Sequence, residues 1–420
     1  MSAASSDTRR PLADLITRAD RAAAQGNHQE AGRLLEEARA LSPTDSRVLA
    51  ALGLYSLKTG NFAAARRHFE DAVCLEPSAL AWFHVGLACR AQVDPEAEGT
   101  AIERALQLDS RFHLALLQKA TLFERQGRAK QAAETFQAFL HCLPAGAQQV
   151  AGLKPAIEHA RRMVEADRSV LEQFIRARTT TPGERAQLCL EALVGRRRIF
   201  HPQPTVMHFP RLPAIEFFDR LEFPWLDAFE AATGQIRQEL ETVIGDRDSD
   251  HEIKPYVDYP DSLPLDQWRS LNHSKRWGAY YLVRNGSPVE EHLGRCPKTA
   301  ALLANASLAD IPGEAPNVFF SILQPRTRIP PHTGVSNTRL VVHVPLIVPP
   351  NCGFRVGSET RAWQPGHAWV FDDTIEHEAW NDSDAPRVIL LFDTWNPFLT
   401  AAERDWVRAA TVAVSEYRAG

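Results

Sequence analysis

The period of the hydrophobic positions changes along the chain. Up to about residue 195, apolar residues recur at helical spacing, as in Ala160-Arg161-Arg162-Met163-Val164-Glu165-Ala166. From Asn317 they form short β-rich runs separated by Pro, Gly, Asn and Asp. The helical part also repeats. Gly26-Asn27 recurs 34 residues later as Gly60-Asn61, and the stops Leu41-Ser42-Pro43, Leu75-Glu76-Pro77, Leu108-Asp109-Ser110 and Leu143-Pro144 keep the same spacing. Between glycine and stop lies a second helix with a small residue near its start: Ala31, Ala65 and Ala132. The third unit has Val93-Asp94-Pro95 where the others have the glycine turn.

Glycine permits a tight turn, proline halts a helix, and alanine lets helices approach closely. A 34-residue helix–turn–helix period with these signals resembles the tetratricopeptide repeat. Three to four units exceed the roughly three needed to bury a continuous core. Such arrays present a groove, which points to a peptide or protein partner; a spacer or dimerisation arm is the plainer alternative. After the helical residues 146–195, the stretch Thr179-Thr180-Thr181-Pro182-Gly183 and the cluster Arg196-Arg197-Arg198 precede a segment rich in proline and aromatics.

Composition narrows the classes. A chain of 420 residues exceeds one ordinary core, and 44% hydrophobic with 24% charged residues is globular. A formal charge of −5 argues against a dedicated nucleic-acid binder. No apolar run reaches the roughly 18 residues of a membrane span, and Met1 to Arg10 lack the apolar stretch of a secretory signal. Cysteines 74, 89, 142, 189, 296 and 352 are scattered, which reads as reduced thiols, mostly buried, and a cytoplasmic setting.

Strands are expected at Val318–Leu323, Arg339–Val348, Phe354–Val356, Ala368–Phe371 and Arg387–Asp393. Alternation puts Ser321 on one face with Phe319 and Leu323, His343 with Arg339 and Val341, and Arg387 with Ile389, Leu391 and Asp393. Polar residues inside apolar strands are informative, because burial without a partner costs roughly 1–3 kcal/mol each. His332 and His377 stand at turns beside such strands. Two histidines 45 residues apart prove nothing alone, but Ser321 before the first and Arg387 after the second make a set.

The run Phe320-Ser321-Ile322-Leu323 … Pro331-His332-Thr333-Gly334 … Asn337-Thr338-Arg339-Leu340 … His343-Val344-Pro345-Leu346 resembles the aspartyl/asparaginyl β-hydroxylases. So does Phe371-Asp372-Asp373-Thr374-Ile375-Glu376-His377-Glu378 … Arg387 … Phe392-Asp393-Thr394-Trp395-Asn396-Pro397. The resemblance implies a double-stranded β-helix (jelly roll) and an oxygenase using Fe(II), 2-oxoglutarate and O2. His332 and His377 match the two iron ligands, and neutral imidazole suits Fe(II). Where most related dioxygenases add a carboxylate, this chain has Gly334, as is typical of the family. Asp373 matches an acid that orients iron-bound water. Arg387 matches the clamp on the distal carboxylate of 2-oxoglutarate, Ser321 its helper, and His343 a contact to the other carboxylate. Arg339 matches a contact to the substrate carboxylate. Animal members have basic residues where this chain has Val341 and Phe319, so residue identity supports the reaction better than an aspartyl substrate; Asn396, where the family commonly has a histidine, carries no functional weight.

The expected chain is α + β and multidomain: a polar tail (1–10), an α-helical tetratricopeptide-like solenoid (11–145), a helical linker (146–199), and a hydroxylase-like jelly roll with a C-terminal helix (200–420). The expected activity is hydroxylation of an aspartyl, asparaginyl or related residue of a peptide or protein recruited by the repeats. The alternatives are a hydroxylase of a small molecule or lipid, and a repeat-based interaction protein with a non-catalytic jelly roll.

Overall fold

The structure is a computed structural model that describes residues 6–180, 183–245 and 251–419. Residues 1–5 of the expected tail and residues 181 and 182 of the expected helix break lie outside the described residues. The chain divides into two compact units between Arg196 and Arg197.

The first unit is a series of helical hairpins: α1 (Ser6–Ala24) with α2 (His28–Leu41), α3 (Ser46–Lys58) with α4 (Phe62–Leu75), α5 (Ala79–Ala91) with α6 (Pro95–Leu108), and α7 (His113–Arg125) with α8 (Ala129–His141). Helix α1 thus begins inside the stretch read as a tail. Ala31, Ala65 and Ala132 are fully buried, as close helix packing requires. The hairpin turns pass through a left-handed residue: Gly26, Gly60 and Gly127, and in the third hairpin Val93 at φ 60°. Asn27, Asn61 and Asp94 then cap the second helices by accepting backbone N–H groups. Two further helices, α9 (Lys154–Arg176) and α10 (Glu184–Leu193), complete the unit.

The second unit holds α11 (Leu226–Ala231), α12 (Thr233–Gly245), α13 (Glu290–Arg295), α14 (Pro297–Leu303) and α15 (Ala401–Ala419). Its strands are β1 (Lys254–Pro255), β2 (Trp277–Arg284), β3 (Ser287–Pro288), β4 (Val318–Leu323), β5 (Thr327–His332), β6 (Arg339–Ile347), β7 (Cys352–Val356), β8 (Glu359–Arg361), β9 (Trp369–Phe371), β10 (His377–Asn381) and β11 (Arg387–Trp395). They form two antiparallel sheets among the described residues. The larger runs β1-β2-β4-β11-β6-β9 with β3 beside β2, and the smaller runs β5-β10-β7-β8. His332 and His377, read as turn residues, are the last residue of β5 and the first of β10.

The larger sheet is buried on both faces. Val318, Phe320, Ile322, Val342, Val344, Leu390 and Phe392 pack with Phe229, Ile236, Leu240 and Leu303 of the helices. The alternate residues Leu323, Val341 and Ile389 pack with Ile329, Phe354, Val356 and Ala379 of the smaller sheet. The polar residues that break the apolar pattern lie on this second face, between the sheets. All six cysteines are free: 89, 296 and 352 are buried, whereas 74 and 189 are exposed and 142 is intermediate. No helix among the described residues is long and apolar enough to cross a membrane.

Candidate active site

Antiparallel pairing of β5 with β10 sets His332 directly opposite His377, with ring centroids 4.0 Å apart. His332 Nδ1 lies 2.8 Å from the Pro330 carbonyl and His377 Nδ1 lies 3.1 Å from that of Ile375. A carbonyl only accepts, so each Nδ1 carries the proton and each Nε2 is left as a lone pair. Burial pulls both histidines below their ordinary pKa, His377 well below it, and His332 adds to that second shift. The pair is therefore neutral, the form that binds metal. Among the described residues no third His, Cys, Asp or Glu completes a metal-holding group with them.

A carboxyl group nevertheless stands close by. A Cβ on Gly334 would overlap the Asp373 carboxyl group, so Asp373 fills the space that a side chain at position 334 would need. The two segments are tied by the Gly334 N–H donating to the Asp373 carbonyl at 2.6 Å. Burial raises Asp373 to about 7, against the opposing pull of Arg339. Its Oδ1 has no hydrogen-bond partner, and its Oδ2 lies 3.6 Å from Arg339 Nη1. The same Nη1 donates to Asp393 Oδ1 at 2.7 Å, and Asp393 Oδ2 accepts the Asn317 N–H at 2.7 Å.

Arg387 is treated differently. It is 1% exposed, yet its Nε and Nη1 have no hydrogen-bond partner. Its guanidinium lies over the Trp363 ring, 4.6 Å from the centroid, and burial lowers its pKa to about 10. A buried cation without an anion is costly, so the arrangement suits a ligand that brings the anion. Two more polar groups border the same cavity. Ser321 Oγ accepts from Trp277 Nε1 at 3.1 Å, which leaves its own proton to donate. His343 Nδ1 accepts from Trp363 Nε1 at 3.3 Å, so its proton sits on Nε2; burial and then Arg387 hold it neutral.

All seven residues singled out in the sequence (Ser321, His332, Arg339, His343, Asp373, His377 and Arg387) line one cavity of about 660 Å³. Sequence reasoning missed Trp363, which contacts both Arg387 and His343, and Trp277, which orients Ser321. It also missed Asp393 as the partner of Arg339. Indole N–H groups were the available signal, since a buried one needs an acceptor.

The family model described as "Aspartyl/Asparaginyl beta-hydroxylase" matches residues 230–397. Three relatives match part of the chain. "Aspartate beta-hydroxylase domain-containing protein 2" of Xenopus tropicalis is 31% identical over 205 residues, 48% of this chain and 53% of that protein. "Aspartyl/asparaginyl beta-hydroxylase" of Mus musculus is 37% identical over 144 residues, 34% of this chain and 19% of that one. "Ornithine lipid ester-linked acyl 2-hydroxylase" of Rhizobium tropici is 35% identical over 188 residues, 44% and 62% of the two chains. The chain thus spans less than two thirds of the length of each of these relatives. Among solved structures, "Crystal structure of MamA protein" aligns at 20% identity and a TM-score of 0.30, over 37% of this chain and 88% of that one. By motif order and by this match, residues 230–397 belong to the aspartyl/asparaginyl β-hydroxylase family.

Proposed function

We propose that this domain is an Fe(II)- and 2-oxoglutarate-dependent hydroxylase. The overall conversion takes a substrate C–H, O2 and 2-oxoglutarate to C–OH, succinate and carbon dioxide. His332 and His377 would hold the iron, which when bound supplies the activation of oxygen. Two neutral imidazoles with free Nε2 lone pairs, beside a carboxyl group with an unused oxygen, fit such an ion. Arg387 would clamp the distal carboxylate of 2-oxoglutarate, helped by the Ser321 hydroxyl, while the His343 Nε2–H donates to the other carboxylate. Asp373 would hold a water beside the histidines.

The observation that carries this reading is the buried, unpaired guanidinium of Arg387. Removing one partner of a buried charged pair costs about 2–5 kcal/mol, so Arg387→Ala should weaken 2-oxoglutarate binding by a factor of about 30 or more. Calorimetry with Mn(II) in place of iron measures this directly. Unchanged affinity would remove the clamp and the reading with it.

The relatives' names disagree on the substrate, one giving aspartyl and asparaginyl residues and another an ester-linked acyl group. We also propose that the helical array recruits a partner that brings the substrate, since solenoids offer an extended surface for binding.

A further inference from the structure

We propose that the substrate presents an aliphatic chain, uncharged around the reacting carbon, as in the acyl chain of a lipid, and that the chamber turns away a side-chain carboxylate. This rests on the reading of the histidine pair as a hydroxylation centre. Three arginines line the cavity. Arg387 is the most buried of the three and is assigned above to 2-oxoglutarate. Arg284 is an exposed residue, its guanidinium 5.1 Å from the centre of the Tyr281 ring. It therefore stands at the Tyr281 end of the run of rings that begins at His332, which leaves Arg339 to meet a carboxylate at the reacting end, and Arg339 is already committed. It bonds Asp393 at 2.7 Å and lies 3.6 Å from Asp373. An incoming carboxylate would find two acids around one cation and no net positive charge. It would also shed its hydration against an apolar surface without gaining a free donor pair.

That surface is a continuous run of rings. Trp268 stands 4.9 Å from the His332 ring; Trp277 follows at 6.3 Å from Trp268, Tyr256 at 4.0 Å from Trp277, Phe319 at 5.3 Å from Tyr256, and Tyr281 at 5.1 Å from Phe319. Strand register sets Leu391 beside Phe319 and Val341 beside Asp393, so Leu391 and Val341 add two apolar inward positions. Five rings in succession starting at the histidine pair are more than one amino-acid side chain would cover. An extended hydrocarbon chain lying along them would bury its methylenes against the ring faces.

The test uses the full-length protein with Mn(II) and 2-oxoglutarate, whose binding is first confirmed by calorimetry. A failure there sinks the hydroxylase reading and not the substrate class. A dodecyl maltoside brominated along its chain is then titrated below its micelle concentration, because bromine quenches nearby indoles such as Trp268 and Trp277. Saturable quenching is expected, weakened tenfold or more in Phe319→Lys, with a thermal melt as the fold check. The half-exposed Tyr256→Lys gives the same reading should the first variant not fold. Displacement of the probe by an aspartyl peptide, or quenching unaltered in the folded variants, overturns the proposal. A leucyl peptide that displaces it better than unbrominated dodecyl maltoside overturns the lipid chain in favour of a peptide side chain.

Discussion

Trp363 joins the two ends of the proposed cosubstrate pocket. Its ring covers the Arg387 guanidinium, and its N–H sets which nitrogen of His343 carries the proton. Trp363→Phe keeps a ring face but frees the tautomer, and one lost hydrogen bond is worth about 1 kcal/mol. Affinity for 2-oxoglutarate should fall by roughly 5-fold, far less than in Arg387→Ala; calorimetry showing no loss would mean that the tautomer does not matter. Asp373 makes a second residue-level prediction. Its carboxyl is raised to about 7, whereas both histidines are lowered by burial. Just below pH 7 the metal-free protein therefore holds a proton on Asp373 in preference to the histidine Nε2 atoms. A divalent cation should expel that proton, so Mn(II) binding should release close to one proton at pH 6 and almost none at pH 8.5. Calorimetry in buffers of different ionisation heat reads the number, and equal release at both pH values would refute the assignment.

At the scale of elements, the third hairpin turn stands out. Val93 takes the left-handed conformation that glycine takes in the other hairpins, although it is β-branched and 82% exposed. That conformation costs an L-residue about 1–2 kcal/mol, partly offset by the added chain entropy of glycine when unfolded. Val93→Gly should stabilise the array by about 1 kcal/mol, seen as a higher midpoint in urea; a lower midpoint would contradict it. The hairpins were legible because their turn, cap and stop residues recur at fixed spacing. Strands β4, β6 and β11 were legible for a different reason: strongly apolar runs interrupted by a single serine, histidine or arginine. Strand β5 escaped because Pro330-Pro331 argues against a strand. It lies at the edge of the smaller sheet, where only one neighbour, β10, needs its backbone. Strand β10 reads His-Glu-Ala-Trp-Asn, with too little apolar alternation to declare itself. The candidate site was legible as a set of residue types at set distances along the chain. What held those residues was not, because Trp363, Trp277 and Asp393 act through contacts made only when distant segments meet.

For the whole molecule, the chain divides into two compact units, and the unit after Arg196 has buried apolar clusters of its own. The fragment Arg197–Gly420 should therefore fold and bind 2-oxoglutarate within about threefold of the full chain, a difference of roughly 0.7 kcal/mol. Loss of that binding in a folded fragment would show that the helical unit completes the site. Within the fragment, the larger sheet spends one side chain of each pair on the site and the next on the helical core. Along β11, Arg387, Ile389, Leu391 and Asp393 alternate with Val388, Leu390 and Phe392. A single inserted residue would exchange the two sets, sending a guanidinium under the helices and a phenylalanine into the anion pocket. The strand thus behaves as a reading frame of two. Length variation should survive in the turns that flank β4, β6 and β11 but not inside them, where only a paired insertion restores the phase.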